Sequence, residues 1–366
     1  MIRQSPDPGE IGPLNGLLAV VLSLALVLLV GFLLVIGKSV LLPVFVAVIS
    51  VYVLTAASDA LGRLPGGNAM PERLRRLVVL LLFLVAVLWF GSVMIATAEQ
   101  ISTRLPEYSG NVTALVSAIT DRLGVENPNW VAMRQRVIEA FPLQRLAGIA
   151  LGSISAMAGL ILMIVVYATF LMAERNDFAR KIAVAMPGDK GARAEQIVRN
   201  INATVSNYLA IKTLVNVILG AISYAILLGF GVDFALFWAI AIGLLNYIPY
   251  VGSLLGVLFP VVLSVAQFGS VGTTLLLAAL LTLAQTWVGN SLEPRMIGRQ
   301  VNMSPFVVLV ALAVWSSMWG TAGAILAIPL TAIIAIVMAS FEATRPFAVL
   351  LASDVGVFEP DHDAAS

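Results

Sequence analysis

The sequence predicts an all-α polytopic membrane protein of six to eight spans, with two broken helices or re-entrant hairpins in its C-terminal half. Three observations carry this. Of 366 residues, 60% are apolar and only 11% are charged, whereas a soluble domain carries about 25% charged residues. The mean hydropathy is +0.99. The apolar residues gather into runs of about 20, the length a helix needs to cross a bilayer. A chain so poor in charge cannot cover a water-facing surface, so the lipid bilayer is its first partner.

Composition also excludes much. There is no Cys and a single His, His362, near the end of an acidic tail. Thiolate chemistry, a His-based triad and a His proton relay therefore have no residue to use. No GxxxxGK[ST] loop is present, so no nucleotide site is expected. A net charge of +1 offers no basic field for nucleic acid. No enzyme, cofactor or metal is implied. A membrane protein of this kind moves something or holds something.

Residues 1–13 are polar and read as a disordered N-terminus, and residues 14–98 as three transmembrane helices. Leu14 to Ile36 is too long for a signal-peptide core. Lys38 separates it from Val40–Ala57, which makes a tight hairpin, and Leu77–Ala98 is the third span. The intervening loop holds Arg63, Arg73, Arg75 and Arg76. Residues 149–173 form the fourth span, followed by Arg175, Arg180, Lys181, Lys190, Arg193 and Arg199. The positive-inside rule places both basic segments, and both termini, in the cytoplasm. An all-helical chain belongs in a plasma membrane, since an outer-membrane protein would show alternating strands.

Residues 99–148 fall on the opposite side. Val112, Leu115, Val116, Ile119 and Leu123 recur at helical spacing, as do Met133, Val137 and Phe141. Asn127-Pro128 divides this insertion into two amphipathic helices. They either lie on the membrane or serve as an oligomer contact or outer gate. Residues 174–210 read as a cytoplasmic helical segment leading into the transport core, residues 211–346. Residues 347–366 form a cytoplasmic tail.

In the core, Phe234 to Phe268 is a 35-residue apolar run. As one helix it would be about 50 Å long, too long for a bilayer core of about 30 Å. Asn246-Tyr-Ile-Pro-Tyr-Val-Gly252 interrupts it, and Pro249 removes a donor and bends the chain. Phe306 to Phe341 repeats the pattern around Trp315-Ser-Ser-Met-Trp-Gly-Thr-Ala-Gly323. An offset of 69 residues pairs Pro260 with Pro329, Asn216 with Gln285 and Tyr250 with Trp319. The two runs are either re-entrant hairpins in opposite orientations or kinked full spans. Interrupted segments in corresponding halves point to a transporter binding site.

These residues have a family likeness. Asn246-Tyr-Ile-Pro-Tyr-Val-Gly252 resembles the Asn-x-Ile-Pro-Tyr-x-Gly signature of the autoinducer-2 exporter family of bacterial permeases. Asn290-Ser-Leu-Glu-Pro294, Met303-Ser-Pro305 and the stretch from Trp319-Gly-Thr-Ala-Gly323 to Ala327-Ile-Pro329 resemble its later motifs. Ser253 stands where many relatives place a proline. The resemblance covers nearly the whole chain. It implies a membrane transporter, some members being exporters of an autoinducer-2-like signal and others sodium or lithium/proton antiporters. It also implies a homo-oligomer, with a pentamer as the candidate assembly.

The solute-binding candidates are Asn246, Tyr247, Pro249, Tyr250, Gly252, Asn290, Trp319, Gly320 and Gly323. Asn246 can donate to and accept from a hydroxylated solute, or cap a half-helix. Tyr247 and Tyr250 offer hydroxyls and ring faces, or anchor the interface. Half-helix N-termini after Gly252 and Gly320 present free N–H groups. The ion-coupling candidates are Glu293, Gln285 and Asn216. Glu293 either holds a cation or proton, or forms a surface pair with Arg295 or Arg299. Lys212 reads as snorkelling to the cytoplasmic interface, and Asp233 as lying at the outer one. The partner is a small organic solute under the exporter reading and a monovalent cation under the antiporter reading. A non-transporting scaffold working through the outer insertion is the third possibility.

Overall fold

A computed structural model describes residues 13–63, 70–123, 163–172, 174, 181, 184–186, 188–297 and 301–358. The second insertion helix, the first half of the fourth span, Arg299 and His362 lie outside them. The protein is an all-α polytopic membrane protein, and the described residues contain no strand. Its helices are α1 (Pro13–Ile36), α2 (Lys38–Arg63), α3 (Glu72–Leu123), α4 (Met163–Met172), α5 (Asp189–Gly229), α6 (Ala235–Leu245), α7 (Val251–Phe268), α8 (Val271–Trp287), α9 (Glu293–Ile297), α10 (Pro305–Ala339) and α11 (Arg345–Leu351). A π-helical turn, Val288–Leu292, joins α8 to α9. Among the described residues, six helical stretches are long and apolar enough to cross a membrane.

The central element is α5. Its 41 residues extend about 60 Å at 1.5 Å per residue. One face is buried through Val205, Tyr208, Leu209, Lys212, Val215, Asn216, Leu219, Ser223 and Leu227. These fall at steps of three or four, the stripe a helix needs to pack on several neighbours. The lipid-facing helix α1 is the opposite case, with almost every large side chain exposed.

Both broken runs are hairpins. In the first, α6 and α7 fold back on each other and their outer ends meet. The Asp233 backbone N–H donates to Gln267 Oε1 at 2.8 Å, and Gln267 Nε2 donates to the Gly231 carbonyl at 2.8 Å. At the tip, the Val251 N–H donates to the Pro249 carbonyl at 2.6 Å around Tyr250, whose φ is 60° and ψ −54°. That is a γ-turn of the rare, strained kind. In the second, α10 reverses at Gly320, with φ 65° and ψ −143°, a region open essentially to glycine. Trp315 Nε1 donates to Thr331 Oγ1 at 3.1 Å, although 16 residues along a straight helix would part them by about 24 Å.

The hairpins enter from opposite ends of α5. The base of the first lies beside Gly229, where the Val232 N–H donates to the Leu227 carbonyl at 2.9 Å. The base of the second lies beside Asp189: Arg193 donates to the Ser340 carbonyl and sits over the Phe341 ring. Because α8 begins at the first base and α9 ends against the α5 cluster of Val205 and Tyr208, α5 and α8 run antiparallel. One long helix plus one hairpin is thus used twice, inverted.

The third helix runs unbroken from its membrane span into the insertion, to Leu123. Its extension grips the first hairpin. Arg104 reaches both carboxylate oxygens of Asp233 at 3.1 and 3.2 Å, Tyr108 OH donates to Asp233 at 2.8 Å, and Asn111 donates to the Gln267 carbonyl at 2.8 Å. Burial and the neighbouring carboxylate hold the Tyr108 hydroxyl far above the ordinary tyrosine range, so it stays a donor.

Close approach at the two tips requires glycine. A Cβ on Gly252 would sit 1.7 Å from the Leu245 carbonyl oxygen, and one on Gly323 would sit 1.9 Å from the Trp315 oxygen. Gly252→Ala and Gly323→Ala should each lower the thermal unfolding midpoint of the purified protein sharply. Gly272→Ala, with nothing within 4 Å of its new methyl, should leave it unchanged or raise it, as helical Gly→Ala changes gain about 0.5–1 kcal/mol.

Candidate functional site

The tip of the first hairpin carries the most concentrated buried polar chemistry of the bundle. Where α6 ends, Asn246 is buried. Its Nδ2 donates to Asn216 Oδ1 on α5 at 2.8 Å, and its Oδ1 accepts from Gln285 Nε2 on α8 at 2.7 Å. Three elements therefore meet in one chain of side-chain amides. Asn216 and Gln285, the pair matched by the 69-residue offset, converge on the same residue.

The amide chain has two open ends. Asn216 Nδ2 and Gln285 Oε1 are buried without a hydrogen-bond partner. Exchanging N and O in all three amides reverses the chain and still leaves one donor and one acceptor. An unmet buried polar group costs about 1–3 kcal/mol, so the layer is poised for a group that both donates and accepts. Asn216 also lies close enough to the Tyr247 hydroxyl for the two side chains to interact, although its Nδ2 meets no partner at hydrogen-bond distance and angle. That hydroxyl is 2.7 Å from Thr213 Oγ1.

Depth comes from helix geometry. Asn216 is 13 residues from the Gly229 end of α5, or about 20 Å at 1.5 Å per residue. One turn further, Lys212 Nζ donates to Glu293 Oε1 at 2.6 Å, with side chains 6% and 24% exposed. This corrects two expectations. Lys212 does not snorkel: it lies in the middle of a 41-residue helix and is buried by its packing. Glu293 pairs with Lys212, 81 positions away, and not with Arg295, while Arg299 lies outside the described residues.

A local device makes this pair possible. In a regular α-helix, residues eight apart point about 80° away from each other. Pro294 has no N–H and its ring would crowd the Asn290 carbonyl. The helix widens there, and the Glu293 N–H donates to the Val288 carbonyl five residues back. One extra residue in the turn rotates the residues beyond it by about 100°. Glu293 then falls within about 20° of Gln285, so both aim at α5, where Asn216 and Lys212 are one turn apart.

The remaining candidates lie elsewhere. Trp319 Nε1 donates to the Leu34 carbonyl at 3.0 Å, and its ring centroid is 5.3 Å from those of Phe45 and Trp315. The tip of the second hairpin, with Gly320 and Gly323, is thereby docked on α1 and α2 and not on the amide layer. Asn290 sits in the π-turn and is exposed, Tyr250 is exposed at the first tip, and Pro249 is half-buried. Gly252 serves the hairpin's close approach. Sequence reasoning missed Thr213 and the role of Lys212. The i, i+4 spacing of Lys212 and Asn216, with Thr213 between, was the available signal.

Comparison with known proteins agrees with this architecture. Residues 22–343 match the AI-2E family transporter profile. The chain belongs to that family. It is 25% identical over 342 residues to the AI-2 transport protein TqsA of Escherichia coli strain K12, covering 92% of this chain and 96% of the relative. Two relatives are named only as transport proteins. YhhT of the same strain is 28% identical over 277 residues, covering 75% and 78%. YrrI of Bacillus subtilis strain 168 is 26% identical over 321 residues, covering 84% and 88%. Neither these relatives nor the geometry support the cation/proton antiporter: Glu293 is already held by Lys212.

Breaking a buried ion pair by removing one partner costs about 3–5 kcal/mol, while apolar replacement of both is near neutral. Glu293→Gln alone should therefore destabilise by about 3 kcal/mol. The double change Lys212→Met with Glu293→Leu should recover most of that loss, read by chemical unfolding of the purified protein.

Proposed function

We propose that this AI-2E family member is a secondary transporter that exports a small, neutral, hydroxylated organic solute by alternating access. The observation that carries this reading is the amide layer of Asn216, Asn246 and Gln285, with one unmet donor and one unmet acceptor. A hydroxyl group supplies both complements. Charge would be poorly received there, because an ion at that depth needs a counter-charge and the nearest acid and base are already joined to each other. The name of TqsA assigns AI-2 transport to that relative, and an autoinducer-2-like solute suits the same donor–acceptor pattern.

The inverted pair of helix-plus-hairpin units supports alternating access, since each hairpin base faces one end of the bundle. In our reading the Asp189 end is cytoplasmic. Arg193 and Arg199 lie near it, and Arg63, Arg73, Arg75 and Arg76 flank the loop between α2 and α3. The location is then the bacterial inner membrane, with both termini inside.

Purified protein in liposomes loaded with autoinducer-2 or simple polyols provides the test. Wild type should release a hydroxylated solute faster than empty liposomes. Asn246→Ala, which leaves both neighbouring amides without their partner, should reduce that flux at least tenfold. Leu275→Ala, at an exposed position near the start of α8, should keep most of it. Equal flux through wild type and Asn246→Ala would remove the amide layer from the pathway.

A further inference from the structure

The Lys212–Glu293 pair lies outside the amide layer, yet its placement is specific. Lys212 lies one turn beyond Asn216 along α5, toward the Asp189 end. Glu293 lies beyond Gln285 on α8–α9, turned to the same face by the π-turn. The Thr213–Tyr247 hydroxyl contact fills the level between the charge pair and the amides. Beyond the pair, Tyr208 is buried in an apolar cluster with Val205 and Leu209, against which Ile297 packs. The Lys212 side chain is 6% exposed and that of Glu293 24%. The pair thus stands between the amide layer and the Asp189 end of α5.

We propose that Lys212 and Glu293, aimed at each other by the π-turn at Val288–Leu292, form the gate that closes the amide layer from the Asp189 end of the bundle. The proposal rests on the amide layer being the solute site. A solute leaving or reaching the layer from that end has to part α5 from α8–α9 at the level where the ion pair joins them. An ion pair suits such a gate better than an apolar plug. When it opens beside water, hydration replaces the lost attraction, so opening is not prohibitive. When it closes, its short charged bond seals the gap with a defined geometry.

The π-turn supplies the hinge. The i→i+5 bonding of this turn, in which the Glu293 N–H donates to the Val288 carbonyl, sets the rotation of everything below it. A shift of that wide turn along the helix swings Glu293 by about 100°, while Gln285, above the turn, keeps its place at Asn246. Opening the gate therefore need not disturb the amides. Arg295 lies two residues later and is exposed, so it does not compete for Glu293 inside the gap.

The chain has no cysteine, so one introduced thiol reports on access without background. The probe is Asn246→Cys in the full-length protein in lipid nanodiscs, reacted with a charged, water-soluble maleimide, with Gln285→Cys as a second probe. With the native pair, labelling should be slow. Adding Glu293→Gln should raise the rate at least tenfold at both probes. The charge exchange Lys212→Glu with Glu293→Lys, and the apolar pair Lys212→Met with Glu293→Leu, should return it to the native rate. All variants must elute as one species, which separates gating from unfolding. An unchanged rate in Glu293→Gln overturns the proposal, as does rapid labelling in both folded double variants. Because labelling needs no transported solute, protection by the pair together with absent flux would refute the exporter reading and leave the gate standing.

Discussion

Everything in the C-terminal half depends on one constraint: a backbone that turns at membrane depth must satisfy its polar groups within the protein. The two reversals, at Asn246–Tyr250 and at Gly320, do this differently. At the first, the carbonyls of Leu244, Leu245 and Ile248 are met by the N–H groups of Tyr247, Ile248 and Gly252, and the Asn246 side chain ties the turn to α5 and α8. At the second, the turn is almost wholly backbone, and the indoles of Trp315 and Trp319 do the anchoring. Glycine is required at both because the returning arm touches the carbonyl oxygen of the leaving one.

That difference gives the two halves different work. The first hairpin offers a polar tip to the antiparallel α5 and α8, while its base is fastened by the α3 extension through Asp233 and Gln267. The second hairpin is fastened at its tip, on α1 and α2, and at its base by Arg193. An inverted repeat need not be a functional duplicate. Here the same scaffold yields one chemically polar tip and one aromatic, docked tip, and the proposed solute pathway follows the first.

Much of this was legible in the sequence. The spans came from the apolar runs, and the reversals from Pro249 and the glycines. What the sequence left open was whether each run kinks or folds back. That choice turns on single contacts, such as Trp315 with Thr331, that no periodicity encodes. The repeat offset was blurred for a physical reason. It is 69 between Pro260 and Pro329, both fully buried, but 71 between the tip glycines Gly252 and Gly323, so one register cannot match both. Among the site residues, Asn246 was recognisable as a solute-binding candidate and Asn216 and Gln285 as ion-coupling ones, and the structure joins the three in one layer. The Lys212–Glu293 pair was not, because a lysine near the start of an apolar run and an acid near the end of another each have a simpler interfacial reading. Only the rotation introduced ahead of Pro294 brings them face to face.

The chemistry of the layer also explains why its polarity is built from amides and its charge kept one turn away. An amide can donate and accept without changing protonation, so on the proposed function three of them adapt to a hydroxylated guest at no cost in net charge. A carboxylate or ammonium at the same depth would bind more strongly but would need permanent neutralisation, and a transport site must also let go. Lys212 and Glu293, joined to each other one turn away, keep the strong interaction out of the layer. On the proposed function, weak reversible contacts at the centre and a strong contact beside it are what alternating access asks of a helical bundle whose deep polar groups must serve both packing and passage.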